Sequence, residues 1–240
     1  MVTNKSQHIS QQFETELQDI RSRVLAMGGL VEQQVASALK ALKKADLELA
    51  RQVIAEDHHI NEIEMSIDEE CIQIIALRQP TAGDLRLVSV ILKTITDLER
   101  IGDEANSIAR KALNLADRDH PKKSYRELST IGNHVRGMLR DALDAFARLD
   151  VEAALAVARE DQEVDEEYES FTRTMITYMM EDPRTISRVL DLMWSARALE
   201  RIGDHARNLC EYVIYLVEGK DVRHLSIEHI EKVLQRDGDD

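Results

Sequence analysis

The sequence predicts an all-α fold, with six long helices arranged as two tandem, pseudo-symmetric three-helix bundles. Apolar residues recur at helical spacing along almost the whole chain. The 240 residues include only nine glycines and three prolines, and aromatic residues make up 4%, so the chain is poor in the residues that sheets use. The six-residue sequence LERIGD occurs twice, at 98–103 and 199–204. This repetition indicates two related halves.

The helix boundaries follow from the few breaks in this apolar pattern. Asp46 and Asp150 each precede a new amphipathic run, and we expect them to be N-caps at tight turns between helices. Pro80 and Pro183 each end a long helix, and Pro183 should lie in the first turn of the next one. The predicted helices are 9–44, 46–79, 83–117, 125–149, 151–181 and 185–219, with a short one at 226–236.

The third proline, Pro121, lies in ADRDHPKKS, the most polar and least periodic segment of the chain. We place the domain boundary there, which gives a first bundle at 1–118 and a second at 119–240. The halves also match outside LERIGD. The segment LARQVIAEDHHIN (49–61) aligns with ALAVAREDQEVD (154–165) at an offset of 104. The two halves share the order of their matching segments, the capping aspartates and the LERIGD sequence, which indicates an internal duplication.

Charge and motif content exclude several classes of function. The chain has 45 acidic and 31 basic side chains, for a formal net charge of −14, which disfavours binding to nucleic acid. No apolar run is long enough to span a bilayer, and the N-terminal residues lack the apolar stretch of a signal peptide. We therefore expect a cytoplasmic protein. Glycine-rich phosphate-binding motifs and nucleophile motifs are absent from the sequence.

Pairs of acidic residues recur at equivalent positions in the two halves. Each pair on the third and sixth helices lies one residue beyond a glycine-containing apolar stripe, at the edge of the predicted buried face. The second and fifth helices carry matching polar rows. The members are Glu99 and Asp103, Glu200 and Asp204, Asp57 with Asn61, Glu64 and Asp68, and Asp161 with Asp165. Facing rows of this kind suit hard cations, but a solvated acidic face would show the same pattern. The residues alone leave both interpretations open.

Three histidines adjoin these acidic motifs. His58, His59 and His205 each follow a motif acid by one or two residues. Neighbouring residues on a helix point about 100° apart, so we expect these histidines to be exposed polar residues rather than ligands.

Four segments show a family resemblance: QPTAGDLR (79–86), DLERIGDEANSIA (97–109), LERIGDHARNLCEY (199–212) and YLVEGKDVRH (215–224). With these segments in view, nearly the whole chain resembles the PhoU family. The resemblance implies two symmetric three-helix bundles. It also implies multinuclear metal clusters, bound through repeated acid-x-x-x-Asp motifs and containing iron, zinc or other cations.

Carried over residue by residue, the resemblance implies two sets of metal ligands. We call them the first acidic rim (Asp57, Asn61, Glu99 and Asp103) and the second acidic rim (Asp161, Asp165, Glu200 and Asp204). All-oxygen sets suit iron(III), manganese, magnesium or calcium, and zinc can also enter. Asn61 is neutral where its counterpart Asp165 is acidic, which predicts a weaker first cluster. Asp97 is replaced by Ala198 in the second half, which argues against a ligand role in both halves.

The resemblance also implies a regulatory role without catalysis. Members of the family link the ATPase of the phosphate ABC transporter to a membrane sensor histidine kinase. They repress the phosphate-starvation response when phosphate is plentiful and restrain phosphate uptake. The expected protein is a cytoplasmic homodimer that associates with membrane complexes without inserting into the bilayer.

Two alternatives stay open beside this adapter. A ferritin-like di-metal enzyme would need a Glu-x-x-His motif on each of two helices. One copy exists, from Glu56 to His59, but its repeat has Glu160 and Glu163 at these positions. The other alternative is a purely structural bundle whose acids only keep the protein soluble.

Overall fold

The computed structural model describes residues 2–115 and 122–235, and these residues form helices and connecting turns with no strand among them. The helices are α1 (Val2–Lys44), α2 (Leu47–Arg78), α3 (Ala82–Leu115), α4 (Lys122–Arg148), α5 (Val151–Glu181), α6 (Ile186–Glu218) and α7 (Ile227–Gln235), with a short 3-10 helix at Pro183–Thr185. The predicted all-α fold with six long helices is confirmed. The predicted boundary between residues 118 and 119, together with Pro121, lies outside the described residues.

The long helices pack as two bundles, α1–α3 and α4–α6, and the bundles meet along two helix pairs. Within each bundle all three helices contact one another, and between the bundles α3 packs along α6 while α1 packs against α4. The core consists mainly of aliphatic side chains from these six helices, as expected from the apolar stripes. Among the described residues, helices α3 and α6, which form the larger of the two contacts between bundles, each hold more buried residues than any of the other helices.

The turns between helices form as their capping residues predict. The side chain of Asp46 accepts a hydrogen bond from the backbone N–H of Leu49, and Asp150 accepts one from Ala153, which satisfies free donors in each first turn. Helix α2 ends at Arg78, and its C-cap residue Gln79 has a φ of 50° immediately before Pro80.

Two helix starts differ from the predictions by more than one residue, those of α1 and α4, and a short 3-10 turn precedes α6. Helix α4 begins at Lys122 instead of residue 125. Helix α1 begins at Val2 instead of residue 9, because its polar first turns hide the start in the apolar pattern. Helix α6 begins at Ile186, after the 3-10 turn that contains Pro183. The carboxylate of Asp182 accepts a hydrogen bond from the backbone N–H of Arg184, so Asp182 is the N-cap of this 3-10 turn.

The contact between α1 and α4 is pseudo-symmetric. A Cβ atom added to Gly28 would lie 2.5 Å from Cδ2 of Leu143, and one added to Gly132 would lie 2.5 Å from Cδ2 of Leu39. Gly28 and Gly132 are 104 residues apart in the chain, and so are Leu39 and Leu143. Each leucine therefore fills the space left by the glycine on the opposite helix.

The contact between α3 and α6 carries a buried polar cluster on one side. Asp97 is 2% exposed and accepts hydrogen bonds from His205 (2.7 Å), Tyr212 (2.7 Å) and the side-chain amide of Asn208 (3.3 Å). The prediction that His205 is exposed is wrong, because Asp97 on the neighbouring helix provides a buried partner. His58 and His59 are exposed as predicted.

Candidate cation-binding rims

The first acidic rim lies where α1, α2 and α3 meet. Asp57 on α2 accepts hydrogen bonds at both carboxylate oxygens, from Nε2 of Gln34 on α1 (3.0 Å) and from Nδ2 of Asn106 on α3 (2.6 Å). Gln34 reaches this position because Gly102 leaves room for it, since a Cβ there would lie 3.1 Å from Oε1 of Gln34. Neutral amides therefore fix the orientation of the Asp57 carboxylate.

The carboxylates of the first rim lie close enough to affect one another. Partial burial raises the pKa of Glu99, and Asp103, Glu64 and Asp57 raise this pKa further. Partial burial also raises the pKa of Asp103, with an additional contribution from Asp57. Since Asp57 lies on α2 and the other two rim acids lie on α3, the two rows face each other across the helix pair. The fourth member, Asn61, is partly buried one turn after Asp57.

The second acidic rim lies between α5 and α6 and is more deeply buried. Asp161 is 5% exposed and Glu200 is 8% exposed, whereas Asp165 and Asp204 reach the surface. Asp204 lines a cavity of about 400 Å³ that also borders Arg207. The rim therefore has two buried oxygen groups beside two that solvent can reach.

Burial and neighbouring carboxylates both raise pKa values in the second rim. Burial raises the pKa of Glu200 to about 7, and Asp204 raises this pKa further while Arg197 lowers it. Loss of hydration raises the pKa of Asp204, and Asp161 and Asp165 add to the shift. The α5 and α6 rows therefore also face each other.

Two arginines form ion pairs with the buried carboxylates of the second rim. Nη1 of Arg207 lies 3.0 Å from Oδ2 of Asp161, and Nε of Arg207 lies 3.3 Å from Oε1 of Glu211. Nη1 of Arg197 donates to Oε1 of Glu200 at 2.6 Å. The other Glu200 oxygen, Oε2, is buried and has no hydrogen-bond partner.

A family model described as the PhoU domain matches residues 24–112 and 128–213. The chain belongs to the PhoU family.

Individual PhoU proteins match over almost the full length. The chain is 56% identical over 228 residues to a phosphate-specific transport system accessory protein PhoU homolog of Pseudomonas putida, covering 95% of this chain and 89% of that one. It is 49% identical over 231 residues to the phosphate-specific transport system accessory protein PhoU of Escherichia coli K12, covering 96% and 95%. These relatives are named as accessory proteins of a transport system and not as enzymes.

Solved PhoU structures have the same fold. The crystal structure of PhoU from Pseudomonas aeruginosa superposes with a TM-score of 0.85 at 55% identity, covering 87% of this chain and 100% of that chain. The phosphate transport system regulatory protein PhoU from Streptococcus pneumoniae gives a TM-score of 0.81 at 32% identity, covering 88% and 99%. Both comparisons agree with the tandem-bundle architecture.

The donor chemistry of the two acidic rims fits hard cations. The ligand sets contain only carboxylate and amide oxygens, which such cations prefer, and Glu200 Oε2 is a buried oxygen without a partner. Clustered carboxylates that raise one another's pKa would be stabilised by a bound cation. In the part of the chain that the structure describes, however, no three His, Cys, Asp or Glu side chains already stand in an arrangement that could hold a metal ion. Binding would therefore require side-chain rotation.

The residues that support the rims were not predicted from the sequence. Gln34, Asn106, Arg197 and Arg207 all hydrogen-bond to rim carboxylates. Asn106 and Arg207 could have been found as a pair, because they are 101 residues apart, as are the two copies of LERIGD. Gln34 gives no such signal, because its contact with Asp57 depends on how α1 packs.

Proposed function

We propose that this protein regulates phosphate homeostasis as an adapter between the phosphate ABC transporter and a sensor histidine kinase. The observation that supports this proposal is the match to PhoU accessory and regulatory proteins over nearly the whole chain. The adapter contacts the transporter ATPase and the cytoplasmic region of the kinase. When phosphate is plentiful, it holds both in an inhibited arrangement, which represses the starvation response and restrains uptake.

The proposed adapter acts in the cytoplasm as a homodimer at the membrane surface. Within the described residues, no helix is both long enough and apolar enough to cross a bilayer. An adapter of this kind also needs faces for other proteins. On α6, Ile186, Leu190 and Trp194 follow one another at four-residue spacing, and all three are exposed, with Trp194 at 57%. Exposed apolar patches of this kind mark protein contacts.

We further propose that both acidic rims bind hard cations, such as iron, manganese or magnesium, with zinc as a competitor. A bound cation would supply positive charge between two rows of repelling carboxylates. Asp57, Asn61, Glu99 and Asp103 would hold it in the first rim, and Asp161, Asp165, Glu200 and Asp204 in the second. Bound cations would then draw α2 towards α3 and α5 towards α6, which stabilises the faces that contact partners.

Pull-down assays test the adapter. The purified protein should capture the transporter ATPase and the kinase cytoplasmic region, and the Trp194→Ala variant should bind at least one of them about tenfold more weakly, because exposed tryptophans at interfaces carry much of the binding energy. Arg148→Ala, which removes an exposed side chain on α4, serves as the control. Failure of the wild type to bind either partner, with or without added metal, would defeat the adapter proposal.

Titration calorimetry with Mn²⁺ tests the rims separately from the partners. The chelator-treated wild type should bind Mn²⁺, and a variant with Glu99→Gln, Asp103→Asn, Glu200→Gln and Asp204→Asn should not. Equal binding by both proteins, or none by the wild type, would support a purely structural role for the acids.

A further inference from the structure

The two acidic rims differ in the residues that flank them. At the 101-residue offset that relates the two copies of LERIGD, Arg197 corresponds to Thr96 and Arg207 corresponds to Asn106. Both arginines of the second half thus occupy positions where the first half has an uncharged side chain.

These substitutions change which groups contact the carboxylates. In the second rim, Arg207 donates to Asp161 at 3.0 Å and Arg197 donates to Glu200 at 2.6 Å. In the first rim, Asn106 donates to Asp57 at 2.6 Å. Thr96 donates instead to the backbone carbonyl of Leu92 in its own helix. A guanidinium group is always charged at physiological pH, so among the residues that the structure describes only the second rim has permanent counter-ions hydrogen-bonded to it.

Two other arginines lie near the first rim, but neither forms an ion pair with its carboxylates. Nε of Arg110 donates to Oδ1 of Asn106 at 3.0 Å. Arg100 lowers the pKa of Glu99, but burial and each of the three neighbouring acids raise it by more. Among the described residues, therefore, no arginine is hydrogen-bonded to a carboxylate of the first rim.

The charge balance between the rims follows from these contacts. The second rim has four carboxylates and two paired guanidinium groups, whereas the first has three carboxylates oriented by the neutral amides of Gln34 and Asn106. A cation entering the second rim must displace an arginine from a buried carboxylate or bind next to it. Displacing the arginine breaks an ion pair with a buried carboxylate. Binding beside the arginine places two positive charges close together where water is largely excluded, so both routes cost free energy.

We propose that Arg197 and Arg207 are resident counter-ions of the second acidic rim, so that a hard cation binds the first acidic rim more tightly than the second. This inference rests on the proposed cation binding. It reverses the order expected from Asn61 and Asp165, because two paired arginines outweigh the one additional carboxylate.

Mn²⁺ binding to single-rim variants tests the order, with free Mn²⁺ measured by electron paramagnetic resonance. Glu200→Gln with Asp204→Asn leaves only the first rim intact, and Glu99→Gln with Asp103→Asn leaves only the second. The protein with the intact first rim should bind Mn²⁺ at least about tenfold more tightly, which is the effect of one charge-assisted hydrogen bond.

Arginine variants in the background that keeps only the second rim test the cause. Arg207→Asn should tighten Mn²⁺ binding about tenfold, whereas Arg207→Lys keeps the charge and should leave the affinity nearly unchanged. If Arg207→Asn does not fold because Glu211 loses its partner, Arg207→Asn with Glu211→Arg provides a second variant. This pair reproduces Asn106 and Arg110 of the first half, and circular dichroism checks that each variant is folded.

The outcomes separate this inference from the proposed function. Cation binding with the second rim equal to or tighter than the first, or with no gain in affinity from Arg207→Asn, overturns the inference alone. If no variant and no wild type binds Mn²⁺, both the proposed cation binding and this inference are wrong.

Discussion

The first and second halves of the chain pack alike but differ in charge at corresponding positions. Gly28 with Leu143 and Gly132 with Leu39 make nearly the same contact in both directions between α1 and α4. At the rims, by contrast, Asn106 of the first half is replaced by Arg207 in the second. A duplicated bundle must keep its packing, since one added methyl group in a close contact is destabilising. Polar positions at the edge of the core can diverge without loss of the fold.

The contact between α3 and α6 has also diverged. Asp97 accepts three hydrogen bonds from α6, and the corresponding residue of the second half, Ala198, is a buried apolar side chain. The two halves are therefore related by pseudo-symmetry in their packing, but not in the polar groups at the contact between α3 and α6. Three predictions test where this symmetry holds and where it fails.

The largest effect is expected from Asp97→Ala. The substitution leaves the buried donors of His205 and Tyr212 and the partly buried amide of Asn208 without their acceptor, so the free energy of unfolding should fall by about 3 kcal/mol. Urea unfolding measures it, and Asp144→Ala on the exposed face of α4 should change stability by less than about 0.5 kcal/mol. A similarly small loss for Asp97→Ala would mean that the polar cluster does not hold the bundles together.

A smaller effect is expected from Glu200 in chelator-treated protein. Burial raises its pKa to about 7 in the folded state, where Asp204, Asp165 and Asp161 also face it and Arg197 opposes them. The folded state therefore binds this proton more tightly than the unfolded state does. The resulting stabilisation is complete below pH 4.5 and is lost as the pH rises through about 7. Lowering the pH from 8 to 5.5 should therefore stabilise the wild type.

The matched variants isolate this contribution. Between pH 8 and 5.5 the wild type should gain about 2 kcal/mol more than Glu200→Gln, as measured by urea unfolding at each pH. Glu99→Gln should remove less of the pH dependence, because Glu99 is only partly buried. If the two variants follow identical pH curves, the rims do not differ in burial as described.

The smallest effect concerns the symmetric contact between α1 and α4. Gly29→Ala should stabilise the protein by up to about 1 kcal/mol, because nothing lies within 4 Å of the added Cβ and alanine favours the helix. Gly28→Ala gains the same propensity but pushes against Leu143, and it should be less stable than Gly29→Ala by about 1 kcal/mol or more.

Gly132→Ala provides the symmetry check, with thermal unfolding as the measurement. Because it pushes against Leu39 at the same distance, it should match Gly28→Ala. Clearly different losses in these two variants would show that the contact is less symmetric than its geometry indicates.

Much of the fold could be predicted because the signals are local. The caps at Asp46 and Asp150 act within one turn of their own helices, and the apolar stripes reflect helical periodicity. The start of α1 was missed because its first turns are polar. The rim carboxylates were found from the repeat, but the side chains that hydrogen-bond to them were not. The counter-ions Arg197 and Arg207 become evident only when the geometry shows which carboxylates they reach.

By itself, the sequence determined the six helices, the duplication and the placement of two acidic rows in each half, because helical spacing and repetition depend only on the order of residues along the chain. Only the tertiary structure decided that Gln34 orients Asp57, that His205 is buried on Asp97, and that the second rim contains paired arginines. The physical reason is that hydrogen bonds and ion pairs between helices depend on distances of a few ångströms. Such distances are set by how the helices pack.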